Sequence, residues 1–187
     1  MDINSNDSKY SDFQNIKRKF FSLRNGIISD TLRRSGSPFK IIFGLNLPQL
    51  KEIANSIGKD YELSLKLFND RKTRESLLLA PMIFPLSCLN EDMAKKLFEN
   101  ATVSEEIDIL CHSLLRHYDG APILALNILK DEKIEGIDLY KGLRLALNLI
   151  NKINPMELNT ILSGVQIKAE KNSLTKALFN QIKFTLE

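Results

Sequence analysis

The sequence contains no tryptophan, two cysteines and two histidines among 187 residues. Cys88 and Cys111 are too few for a disulfide framework, and a reducing cytoplasm is the expected setting. Both fall in apolar stretches, where a free cysteine packs as a small hydrophobe, so both are expected inside. Metal-ligand spacing is missing as well. Asp108 and His112 share a helix face, but no third ligand lies nearby, so neither a metal nor a cofactor is expected. There is no phosphate loop and no nucleophile elbow. No apolar run approaches the roughly 20 residues a membrane span needs, so no membrane association is expected. The opening MDINSNDSKYSDF is polar and is not a secretory signal; residues 1–10 read as a flexible tail. The rest, 11–187, is long enough for one well-buried domain.

What the chain does have is one short amphipathic helix after another, broken at Gly, Pro, Asn or Asp. Phe13, Ile16, Phe20 and Leu23 set one apolar face over Ser11–Leu23. A second helix is expected over Gly26–Arg34, ended by the SGSP turn at 35–38. Phe39–Leu45 is apolar but short and lacks a partner strand, so it reads as a buried connector. Asn46 caps a helix with Pro48 in its first turn, and Gly58 stops it. Asp60 caps the next. Thr73–Phe84 is rich enough in leucine to be central, and Pro81 predicts a kink or an early end. Asn90 caps a helix to about Glu99. Thr102 and Glu105 have capping-box spacing, starting a helix that runs to His117. Further helices are expected at Ala121–Leu129, Ile137–Ile150, Pro155–Ser163 and Ser173–Leu186. About eleven helices on short loops predict an all-α fold, a right-handed α–α superhelix of HEAT/ARM-like helix pairs. A compact, non-repetitive bundle is the alternative.

Charge is unevenly spread although the net is only +3. Residues 9–40 carry Lys9, Lys17, Arg18, Lys19, Arg24, Arg33, Arg34 and Lys40 against Asp12 and Asp30. Residues 89–110 lean the other way, with Lys95 and Lys96 against six acids. A polarised chain of this kind can orient on a polyanion. Arg33, Arg34 and Lys40 bracket the SGSP turn, an arrangement suited to phosphate, and Lys17 and Arg18 extend it. Solvated helix faces and cations placed at helix C-termini are the plainer account of the same residues.

Residues 26–54, GIISDTLRRSGSPFKIIFGLNLPQLKEIA, together with RESLLLA (74–80) and VSEEIDILCHSLLRH (103–117), resemble the DNA alkylation repair (AlkD-like) family of HEAT-like repeat proteins. The likeness covers about residues 10–150. It implies a helix-pair solenoid with a basic concave face for double-stranded DNA, and in active members hydrolysis of the N-glycosidic bond of alkylated purines. The family pattern N-W-x-x-x-D-x-L-C, laid with Cys111 last, places Asp108 on the catalytic Asp and Ser104 on the Trp. Lys141 and Arg144 are the candidates for the family's Arg and add to the DNA-contact set. Without the Trp, a cationic base has no aromatic face to lie against. The expectation is therefore a monomeric DNA-binding HEAT-like protein with glycosylase activity weakened or lost. A non-catalytic scaffold for a protein partner is the alternative.

Overall fold

The structure, a computed structural model, describes residues 11–187; the expected tail at 1–10 lies outside the described residues. Eleven α-helices and three short 3-10 turns make up the described residues, with no strand beyond an isolated bridge between Ile41 and Thr73. Chain contacts divide into two compact units, one ending at Pro85 and one from Leu86 to Glu187.

The first unit holds α1 (Asp12–Ser22), α2 (Gly26–Arg34), α3 (Leu47–Ile57), α4 (Tyr61–Asn69) and α5 (Arg74–Ile83). Helix starts are written in local chemistry. Ser11 and Gln14, then Asn46 and Gln49, form reciprocal capping boxes, and the Asp60 side chain accepts from the Leu63 amide. α5 is the centre of the unit. All but one of its ten residues are buried, and it packs on α3 and α4. It continues two residues past Pro81 before ending.

The connector at 39–45 is pinned to the start of α5. The Ile41 amide donates to the Lys72 carbonyl, and the Arg74 amide donates to that of Ile41. The Glu75 carboxylate, fully buried, accepts from the amides of Phe43, Gly44 and Leu45 at 3.1, 2.9 and 3.4 Å. Arg74 Nη1 donates to Glu75 Oε1 and to the Leu45 carbonyl, both at 3.0 Å. Gly44 has φ +81°, and a Cβ there would lie 2.2 Å from the Asn25 carbonyl oxygen. A segment without regular structure thus has three successive amides satisfied by one carboxylate.

The second unit holds α6 (Glu91–Asn100), α7 (Ser104–Ser113), α8 (Ala121–Leu129), α9 (Gly136–Asn148), α10 (Pro155–Ala169) and α11 (Ser173–Leu186). α9 is central, packed on α7, α8 and α11, while α10 packs on α8 and α11.

Several expectations are corrected. No Thr102–Glu105 capping box forms: Val103 is the cap residue and has no side-chain cap bond, while the Thr102 amide donates to Glu106. That helix stops at Ser113, and Leu115–His117 is a 3-10 turn. α10 runs through Gly164 to Ala169, because Val165 and Ala169 continue its buried stripe. Cys111 is buried but Cys88 is exposed, in a 3-10 turn at 86–88.

Candidate functional site

The sequence candidates Asp108 and Arg144 meet in the second unit. Asp108 sits in the middle of α7, and Tyr140 and Arg144 sit one turn apart on α9. Tyr140 donates its hydroxyl to Asp108 Oδ1 at 2.7 Å. Arg144 Nη2 donates to Asp108 Oδ2 and to the Tyr140 oxygen, both at 3.2 Å. Arg144 Nε lies 2.6 Å from Asp108 Oδ1 but is off line for a hydrogen bond, so that approach is a charge contact. The guanidinium also lies 5.7 Å from the centre of the Tyr140 ring. Asp108 and Arg144 keep 36% and 24% of their side-chain surface, so the cluster opens to solvent.

Its electrostatics are in tension. Burial pushes the Asp108 carboxyl above its ordinary range, and the Tyr140 hydroxyl and Arg144 charge offset this only in part. Burial raises Tyr140 too, with the Asp108 charge beside it working in the same direction. For Arg144, burial works downward but is outweighed by Tyr140 and Asp108, so its affinity for its proton rises. Cys111, one turn along α7 and fully buried, is held firmly as a thiol by burial and by the nearby Asp108 charge. The cluster therefore offers a carboxylate already matched by a guanidinium. A carboxylate so matched has less negative field to lend a developing sugar cation than an unpaired one.

Other expected contact residues are spread through the fold. Arg18, Arg33, Arg34 and Lys40 are exposed in the first unit. Arg33 reaches Asp30 at 3.5 Å and the Ser29 hydroxyl at 3.0 Å. Lys17 is tied down: its ammonium binds Asp70 at 2.7 Å and the Thr73 hydroxyl, and lies over the Phe13 and Phe43 rings. Lys141 is turned inward, 5% exposed, with its ammonium on the Glu99 carbonyl and the Asp138 carboxylate. Ser104, in the Trp position of the family pattern, is half-buried on the first turn of α7. Tyr140 escaped the sequence reading, although its spacing of four from Arg144 was there to find. Among the described residues no group of His, Cys, Asp or Glu is arranged to hold a metal ion, and no helix is long and apolar enough to cross a membrane.

No protein-family model and no curated protein matches the sequence. A solved structure does. It is described as "a new family of proteins related to the HEAT-like repeat DNA glycosylases with affinity for branched DNA structures". The likeness covers 92% of this chain and 74% of that one, with a TM-score of 0.77 and 16% sequence identity. At that identity, what is shared is the all-α, HEAT-like fold.

Proposed function

We infer that the chain is a DNA-binding HEAT-like repeat protein that recognises duplex and branched DNA through the phosphate backbone and does not excise alkylated bases. It works as a monomer in a reducing cytoplasm. The observation that carries the reading is the structural likeness, over 92% of the chain, to a protein whose family has affinity for branched DNA. Exposed Arg18, Arg33, Arg34 and Lys40 are the contacts proposed in the first unit, and Arg144 in the second. Two features argue against glycosylase chemistry: the chain has no tryptophan, and Asp108 is already paired with Arg144.

Titration of a labelled duplex and a labelled four-way junction at two salt concentrations tests this. Affinity should fall steeply with salt, since neutralised phosphates release counterions. Absence of binding at low salt sinks the reading. A base-release assay on alkylated DNA should give no more free purine than buffer does. Release above buffer that is lost in Asp108→Asn would instead make the protein an active glycosylase.

A second reading, a scaffold for a protein partner, draws on exposed apolar side chains such as Ile167 on α10 and Phe184 on α11, 78% and 81% exposed. Recovery of a single protein partner after nuclease treatment would support it.

A further inference from the structure

In the second unit four cations pair with carboxylates: Lys95 with Glu91, Lys130 with Glu157, Lys141 with Asp138 and Arg144 with Asp108. Arg116 is held differently. Its Nε donates to His117 Nε2 at 3.1 Å, and its Nη1 lies 3.4 Å from His112 Nδ1. A guanidinium has no acceptor, so both ring nitrogens facing it must present lone pairs. The only two histidines of the chain thus converge on one arginine. Lys152, from the turn that follows α9, donates its ammonium to the Arg116 carbonyl at 3.1 Å.

The choice of partner matters. A carboxylate would fix the guanidinium and cancel its charge. Two imidazoles fix it and leave the charge in place. Helix-end electrostatics accounts for one cation after the last turn of α7. It does not account for a second, Lys152, brought from 36 residues along the chain to the Arg116 carbonyl. In the sequence around the cluster, α7 carries Asp108 and Glu105 and Asp119 lies in the loop before α8; α8 itself carries no charged residue. His112, His117 and Lys152 are exposed, and Arg116 is half-buried.

We propose that Arg116 and Lys152, with His112 and His117 holding the guanidinium in place, form a contact for a phosphate of the nucleic-acid backbone. The inference rests on the DNA-binding reading above and extends it to residues that reading leaves out. Arg116 supplies a planar fork for the phosphate oxygens, and Lys152 a mobile point charge.

The test uses the full chain, a labelled four-way junction and two salt concentrations. Arg116→Gln with Lys152→Gln should lower junction affinity about tenfold or more and reduce the salt slope by about 2. His112→Glu places a carboxylate four residues before Arg116 on the helix end. It should weaken binding while leaving the melting transition unchanged or raised, an outcome that loss of fold cannot imitate. It also carries the test if the double variant fails to fold. Unchanged affinity and slope in both variants overturn the phosphate contact and leave the DNA reading standing. A wild type that binds no junction at low salt overturns both. Inorganic pyrophosphate is titrated in parallel. Pyrophosphate binding lost in the variants, with junction binding unaffected, overturns the assignment to nucleic acid in favour of a small phosphate.

Discussion

Asp70 in the first unit and Asp108 in the second face the same problem with opposite results. Burial drives both carboxyls upward. At Asp70, donors from Lys17, Ser76 and Thr73 outweigh burial, and its pKa falls below the ordinary 3.8. At Asp108, Tyr140 and Arg144 do not outweigh it, and its pKa stays above 3.8. Glu75 extends the pattern of the first unit, with three backbone amides and Arg74 on one buried carboxylate. Acids in the first unit bind chain segments together. The acid in the second is paired with Arg144 and Tyr140, yet burial still outweighs these partners and it stays partly open to solvent.

The sharpest way to break this comparison is Glu75→Ala. It removes the carboxylate shared by the Arg74 guanidinium, 8% exposed, and three amides of the 39–45 segment. Breaking a buried, hydrogen-bonded pair by removing one partner costs about 3–5 kcal/mol. Urea denaturation should show a loss of that order. A loss below about 1 kcal/mol would make Glu75 no more structural than a surface acid. Gly44→Ala comes next. Its Cβ meets the Asn25 oxygen at 2.2 Å and its φ is +81°, so strain of about 1–3 kcal/mol is expected, read from the same denaturation midpoint. Ordinary stability in this variant would mean that the pinned connector yields.

How far this contrast could be read from the chain depends on the reach of each contact. Asn46, Asp60 and Asn90 mark their helices because a cap bonds amides two or three residues away. α11 over Ser173–Leu186 follows from its own periodicity. The buried Arg74–Glu75 pair was hidden: two charges at a helix start look solvated until a segment 30 residues earlier folds over them. Asp108 and Arg144, 36 residues apart, became candidates only through the family pattern. The Arg116 cluster depends on a 3-10 turn after α7 that no periodicity announces. Gly164 misled in the other direction, since glycine reads as a stop while the buried stripe of α10 carries the helix through it.

On the other side of the comparison, Asp108→Asn should leave stability within about 1 kcal/mol, because the pair is partly solvated. Its larger effect should be on binding. With the acid neutralised, the Arg144 charge is unopposed, and junction affinity should rise about threefold, with a salt slope steeper by up to 1. A fall in affinity would mean that Asp108 orients Arg144 for its contact rather than competing with phosphate for it.

The smallest effect, and the most direct probe of the opposite shifts, is the pH dependence of stability. Asp70 has a lowered folded pKa, so its contribution is complete above 3.8 and is lost as pH falls through the folded value. Asp108 has a raised folded pKa, so its contribution is complete below 3.8 and is lost as pH rises through the folded value. Urea midpoints measured across the acid range should therefore diverge in opposite senses. Asp70→Asn should fall short of wild type near neutrality and converge with it in acid. Asp108→Asn should gain on wild type as pH rises past 3.8 and then level off. A gap for Asp108→Asn that runs the other way would mean that Arg144 and Tyr140 outweigh burial after all. Asp108 would then be a structural acid of the same kind as Asp70, and the division of labour between the two units would be lost.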